Sequence, residues 1–381
     1  MKTDILSLTL DELQNEISAI GAEKFRAKQI FDWLHVKKIT NFSQMSNISE
    51  QLQQNLTKYF CIKPLIIRKK LVSRHDYTVK YLYELEDGQK IETVLMRYRH
   101  ANSLCVSTQA GCKMSCAFCA SGANGFGRNL EPSEILSQIY ETERDSGAEI
   151  GSLVLMGIGE PLDNFDNVIK FLKLLSDKNG RNMSLRHVSL STCGLADKID
   201  ALAELRLGLT LSVSLHAADD ATRSKLMPVN DVYNIDRLMS SCRNYFNKTG
   251  RRLSFEFALI NGVNDSLETA DKLIALVKPI NAHINLIPVN PVIPGDTSVK
   301  SDAKSQTVSP LTPEGVPPPK RRGTSRPVIN GGFAPAGTAV KKFQERLIKA
   351  GVNATVRRTL GADINAACGQ LRGQDNDTDF A

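Results

Sequence analysis

The spacing of apolar and polar positions changes character twice along the chain. Residues 1 to about 60 carry helical spacing. Within Gly21 to His35, Phe25, Ile30, Phe31 and Leu34 fall near one face, while Lys24, Arg26 and Lys28 fall elsewhere. The period then shortens to that of strands over Leu65–Leu71, Tyr77–Leu85 and Lys90–Arg99, and Asp87-Gly88 between the last two is a hairpin signal. From about residue 103, short apolar runs alternate with helical stretches. Strands are predicted at Ser103–Thr108, Ser152–Met156, His187–Ser191, Leu209–Leu215, Leu253–Leu259 and His283–Ile287. Helices are predicted between them at Pro132–Ser146, Phe165–Ser176, Ala196–Glu204, Ile235–Phe246 and Ser266–Val277. Six strands alternating with helices imply an α/β fold with a parallel sheet covered on its faces. A partial (βα)6 barrel and a doubly wound sheet share this alternation, and periodicity does not separate them.

Ten of the fifteen prolines lie between Pro288 and Pro335, where apolar periodicity disappears. Residues 296–326 read as a flexible insertion containing Lys320-Arg321-Arg322. A helix near Val340–Ala350, a strand near Ala354–Arg358 and a glycine-bounded loop from Gly361 to Gly369 follow, before an acidic tail at Asp375–Asp379. The resulting division is 1–60 (helical accessory domain), 61–102 (β-rich connector), 103–291 (core), 292–338 (proline-rich insertion) and 339–381 (C-terminal extension).

Composition narrows the class. With 381 residues and 41% hydrophobic positions the chain can bury a large core. No run approaches the ~18 apolar residues of a membrane span. Asp4, Asp11 and Glu12 stand where an export signal would be apolar, so a cytoplasmic, membrane-free protein is expected. A net charge of +7 permits a nucleic-acid partner without requiring one.

Three of the eight cysteines crowd into Cys112-Lys-Met-Ser-Cys116-Ala-Phe-Cys119, directly after the first strand of the alternating region. Three thiolates from one loop fit a [4Fe–4S] cubane with one iron left open. They also fit a zinc site completed by a distant fourth ligand, or incidental core cysteines.

CxxxCxxC with Phe118 before its last cysteine, on a loop after a first barrel strand, resembles the radical S-adenosylmethionine superfamily. Met156-Gly-Ile-Gly159-Glu160-Pro161, Leu190-Ser191-Thr-Cys193-Gly194, Ser212-Val-Ser214-Leu215-His216-Ala217 and Asn285-Leu-Ile-Pro-Val-Asn290-Pro291 end further strands. Barrel ligand sites assemble at such carboxyl ends. Together these segments resemble the adenine-C2 RNA methyltransferases of that superfamily, from about residue 20 to 373.

The resemblance implies a partial (βα)6 radical-SAM barrel. It implies a [4Fe–4S] cluster on Cys112, Cys116 and Cys119, and S-adenosylmethionine, two per turnover, held by Gly159, Glu160, Ser191, Ser214, Leu215, His216 and Asn290. It assigns Cys368 as an S-methylcysteine carrier that becomes covalently linked to RNA. Cys105 becomes the thiol that resolves the adduct through a transient disulfide with Cys368, and Glu92 the acceptor of the C2 proton. Read without the resemblance, Cys105 is a core residue, Cys368 a structural thiol and Glu92 a surface residue. Cys61, Cys193 and Cys242 read as structural.

The implied substrates are 23S ribosomal RNA, at the peptidyl transferase centre, and transfer RNA, at the adenosine next to the anticodon. The implied partner is an electron donor such as flavodoxin, acting on a monomer. Lys24, Arg26, Lys28, Arg68-Lys69-Lys70, Arg97, Arg99 and Arg357-Arg358 are candidate phosphate contacts. A Cfr-type enzyme methylating adenine C8 would share the same cysteines. A non-catalytic zinc or iron–sulfur RNA-binding protein is the alternative of another class.

Overall fold

The computed structural model describes residues 2–122, 125–280, 282–290 and 333–373. The predicted insertion at 296–326, with Lys320-Arg321-Arg322, and the acidic tail lie outside the described residues.

One ten-stranded sheet organises the molecule. Its strands are β1 (Ile66–Val72), β2 (Val79–Glu84), β3 (Lys90–Arg97), β4 (Asn102–Cys105), β5 (Ile150–Leu155), β6 (Val188–Thr192), β7 (Thr210–Ser214), β8 (Ser254–Leu259), β9 (His283–Pro288) and β10 (Asn353–Val356). Strands β1 to β4 pair antiparallel, and β4 to β10 pair parallel. Spatial order is chain order throughout. This decides the question that periodicity left open. A doubly wound sheet reverses its direction of winding at a switch point. Here the winding never reverses, as a partial barrel requires. The β1–β3 meander continues the same sheet rather than standing apart as a connector, and Asp87-Gly88 makes its turn, with Gly88 at φ +80°.

Helices α1 (Leu10–Ala19), α2 (Phe25–His35) and α3 (Glu50–Tyr59) precede the sheet. The crossovers carry α4 (Pro132–Ser146), α5 (Phe165–Ser176), α6 (Ala196–Glu204), α7 (Asp220–Leu226), α8 (Ile235–Thr249), α9 (Leu267–Val277) and α10 (Ala339–Lys349). Pro132 opens α4 at its first turn, where its missing N–H is not needed. The short α7 was not predicted: seven residues give too few turns for a clear period. No described helix is long and apolar enough to cross a membrane.

The amino-terminal helices share the main core. Ile30, Phe31 and Leu34 are fully buried. His35 meets the Tyr140 hydroxyl of α4 at 3.0 Å, and Lys38 pairs with Glu143 at 2.6 Å. Burial pushes His35 down to about 4, so the imidazole is neutral.

Alternation along the parallel strands places the site. Leu155, Leu190, Val213, Phe255 and Leu286 are fully buried in the main core. The intervening positions Ser191, Ser214 and Glu256 line a central cavity. A strand sends successive side chains to opposite faces. Most apolar side chains therefore meet the helices, and small or polar ones meet the barrel interior, where Leu155, Met156 and Ile287 join them on the cavity wall.

Candidate active site

The cavity sits at the carboxyl ends of β5 to β9. Its wall includes Cys112, Cys116, Cys119, Gly159, Glu160, Ser191, Ser214, His216, Asn290 and Cys368. These ten predicted residues span more than 250 positions of chain. Leu215, Cys105 and Glu92 are buried but are not among the lining residues.

The cysteine loop is built locally. Gln109–Gly111 pairs antiparallel with Phe126–Asn129, and Cys112 donates its N–H to Gly125 O at 3.0 Å. Ala117 N–H reaches Leu226 O of α7 at 2.9 Å. Ser115 takes φ +53°, a left-handed turn that bends the loop between its first two cysteines. The Phe118 ring stands edge-on to His216, with centroids 4.7 Å apart.

His216 itself is fixed at φ +53°. Its Nδ1 accepts the Ala258 N–H at 2.9 Å, which assigns the proton to Nε2. Burial, with Arg223 adding, lowers its pKa to about 3.

Gly157 and Gly159, in the Gly157–Glu160 turn, line the cavity and also pack closely on the neighbouring segment. A Cβ on Gly157 would lie 2.7 Å from the Val106 backbone, and one on Gly159 2.5 Å from Gln109 Cβ. They let the turn press against the segment leading into the cysteine loop. Glu160 completes that turn: its carboxylate accepts from Leu162 N at 3.0 Å and from Cys193 N at 2.7 Å. Burial raises its pKa against the Cys193 hydrogen bond.

Cys368 arrives from the other end of the chain. Asn290 Nδ2 donates to Cys368 O at 3.2 Å, Ala120 N–H to Gly369 O at 2.7 Å, and Ser121 Oγ to Leu371 O at 2.9 Å. The carrier candidate is thus tied directly to the residues after Cys119. Cys105, on β4, packs with Ile364, Ala366 and Leu371 of the same loop. Burial pushes its thiol up to about 12, with Cys368 adding and Arg357 opposing.

Glu92 is no surface residue. Oε1 lies 3.2 Å from Lys80 Nζ, and Oε2 accepts the N–H groups of Arg372 and Gly373, the latter at 3.0 Å. Its carboxylate holds the chain just past Cys368.

Sequence reasoning missed two side chains and gave a third, Arg357, to phosphate rather than to the cavity. Glu256 lines the cavity, accepts from Asn285 Nδ2 at 2.8 Å and lies 3.7 Å from Arg357 Nη1. Its signal was a carboxylate between two phenylalanines of an apolar strand. Arg223, fully buried, donates to the carbonyls of Cys193 (2.7 Å) and Ser214 (3.2 Å), tying β6 to β7. Arg357 lines the cavity beside Cys368. Of the candidate phosphate contacts, Arg68 pairs with Glu84 and Lys70 with Asp145, each at 2.6 Å, whereas Lys24, Lys28, Arg97, Arg99 and Arg358 are exposed.

Comparison with known proteins then settles the family. The ribosomal RNA large subunit methyltransferase N-terminal domain matches residues 3–62, and the radical SAM superfamily matches 106–274. The probable dual-specificity RNA methyltransferase RlmN of Lachnospira eligens is 43% identical over 373 residues, covering 97% of this chain and 96% of its own. The chain belongs to the RlmN family. Its RlmN relatives in Clostridium novyi (43% identical, 97% of each chain) and Staphylococcus aureus strain MW2 (41% identical, 98% of this chain and 94% of theirs) match it end to end as well. A radical SAM methyltransferase from Sphaerobacter thermophilus superposes with TM-score 0.83 at 34% identity, covering 98% of this chain and 100% of that one.

The RlmN family works with a [4Fe–4S] cluster and S-adenosylmethionine, and the donor set fits them. Among the described residues no three His, Cys, Asp or Glu close around one ion. A cubane asks for a different arrangement, one thiolate at each of three irons. Burial pushes Cys112 up to about 12 and Cys116 well above the thiol range, and their neighbouring thiols add to the rise. Such a trio is anionic only beside a cation, which cluster iron supplies.

Proposed function

We propose that this RlmN-family chain is an RNA methyltransferase that adds a methyl group to C2 of adenine in 23S ribosomal RNA, at the peptidyl transferase centre, and in transfer RNA, at the adenosine beside the anticodon. The observation that carries the reading is the single cavity joining Cys112, Cys116 and Cys119 to Cys368. The match of residues 3–62 to a ribosomal RNA methyltransferase domain supports the substrate class.

Adenine C2 is electron-poor, so ordinary polar methylation finds no nucleophile there. Cluster and S-adenosylmethionine, when bound at Cys112, Cys116 and Cys119, supply a methyl group and a 5′-deoxyadenosyl radical. Cys368 holds the methyl as a thioether, loses one methyl hydrogen, and bonds through that carbon to C2. Glu92 takes the C2 proton, and the one electron left over on the adduct would pass to the cluster that Cys112, Cys116 and Cys119 would hold, so that a closed-shell thioether remains. The Cys105 sulfur then attacks the Cys368 sulfur. The Cys368 S–C bond breaks, its electron pair stays on carbon and is protonated, and a disulfide remains. Gly159, Glu160, Ser191, Ser214, His216 and Asn290 on the cavity wall, with Leu215 buried behind them, would hold the cofactor. A flavodoxin-type donor supplies electrons to a monomer. Residues 3–62 dock the RNA through exposed basic side chains, which offsets the few kcal/mol needed to unstack the target base.

The test is nucleoside mass spectrometry of RNA treated with the anaerobically reconstituted protein. 2-Methyladenosine is expected. Methyl at C8, or colourless protein without iron that methylates RNA equally well, overturns the reading. Cys105→Ala is expected to accumulate a covalent RNA–protein adduct; clean turnover removes its resolving role.

A further inference from the structure

Cys368 faces two cavities. A smaller recess adjoins the main one and shares Ile287, Asn290, Arg357 and Cys368 with it. On its far side the recess is walled by Met96, Tyr98, Arg358 and Leu360, among others. None of these four lines the main cavity, and none has an assigned part in the chemistry. We propose that this recess receives the target adenine and that Tyr98 is its positioning residue, offering a ring face on which the flipped base stacks.

Four observations carry this. First, the recess touches Cys368 and is lined by none of Cys112, Cys116 and Cys119, so a base in it can meet the Cys368 sulfur without displacing what those three hold. Second, Tyr98 is 48% exposed although it is a large aromatic, so much of its surface is left uncovered. Its hydroxyl reaches Met96 Sδ at 3.6 Å, so the ring lies alongside that side chain. Third, Met96 and Leu360 give the apolar contact that a purine plane needs. Fourth, the recess is basic: Arg357 and Arg358 both line it, and Arg358 is exposed. Basic side chains around a stacking aromatic match a nucleotide, with base inside and phosphates at the edge.

The inference rests on the RNA-methyltransferase reading, and the experiment separates the two. The full-length, cluster-loaded protein is given S-adenosylmethionine, a reductant and a transfer RNA anticodon stem-loop. Two products are measured, methyl on Cys368 and methyl on RNA in a single turnover. Tyr98→Ala is expected to slow RNA methylation about tenfold or more, from the loss of one base–aromatic stack. Methylation of Cys368, which needs no RNA, should proceed as in the native protein. Tyr98→Phe is expected to restore the RNA step, since the ring and not the hydroxyl does the stacking. Tyr98→Ala with unchanged RNA methylation overturns the recess assignment. So does a loss of both products together, which would mark Tyr98 as packing for the loop. Native protein that methylates neither this RNA nor ribosomal RNA overturns the functional reading instead.

Discussion

Two loops bring sulfur to the site, and they are held in opposite ways. The loop from Cys112 to Cys119 is braced mainly by near neighbours in sequence: its own ribbon, the Gly125 carbonyl and the positive-φ turn at Ser115. The loop from Gly361 to Gly373 hangs on distant ones. Asp76 accepts the Gly361 N–H at 2.8 Å, Asp363 accepts the Arg74 N–H at 2.9 Å, and Glu92 holds Arg372 and Gly373. A permanent ligand loop profits from bracing that survives small shifts elsewhere. A carrier that must serve cofactor and substrate in turn is better held by a few discrete, separately breakable bonds.

The sharpest way to break this contrast is to remove one sulfur from each loop. Cys112→Ala is expected to lose the cluster, and with it both Cys368 methylation and RNA methylation. Cys368→Ala is expected to abolish RNA methylation while keeping about four irons per chain, the content of one cubane. Iron analysis beside activity checks both, and an active Cys368→Ala protein sinks the carrier role.

Next is Glu92→Gln. One amide oxygen can still accept from Arg372 and Gly373, but the side chain can no longer take a proton. Methyl transfer to RNA is expected to fall about a hundredfold or more, the typical share of a general base. Taking the carboxylate from buried Lys80 is expected to cost roughly 3 kcal/mol in urea unfolding. Full activity with reduced stability would make Glu92 a clamp alone.

Glycine substitutions test the bracing by stability. A Cβ on Gly111 would sit 2.1 Å from Gly125 O, at φ +75°. One on Gly369 would sit 3.2 Å from Phe118 O, at φ +83°. Both pay for left-handed backbone, about 1 kcal/mol, and only the first collides with backbone it cannot displace. Gly111→Ala is expected to cost roughly 3 kcal/mol and Gly369→Ala about 1, read from thermal or urea midpoints. Equal costs would remove the distinction between the loops.

The smallest effect belongs to Asp76→Ala, which deletes the hydrogen bond to Gly361 and a local one to the Thr78 N–H. About 1 kcal/mol of stability is expected to go, together with faster protease cleavage within 361–373. An unchanged cleavage rate would mean that this contact does not hold the loop.

Much of the fold was legible because periodicity is a local property. Strands β4 to β9 and most helices announce themselves by where Leu, Val, Ile and Phe recur. The candidate cluster ligands were legible because three cysteines fit within eight residues. Glu256 was overlooked because a single charge in an apolar strand does not say which way it faces. Arg223 was overlooked because its five acceptors come from three separate segments, at 193, 214–215 and 230–233. Glu92 looked like surface because burial depends on what covers a strand, and here the cover is chain almost 280 residues downstream.

By itself, then, the sequence determined the elements, the alternation of strand and helix, and a trio of thiols suited to iron, since each follows from neighbours along the chain. Tertiary structure alone decided that the winding is a partial barrel, that Cys368 stands beside Cys119, and that Cys368 opens onto a second recess. Those are matters of strand order and long-range hydrogen bonding, which no local period encodes.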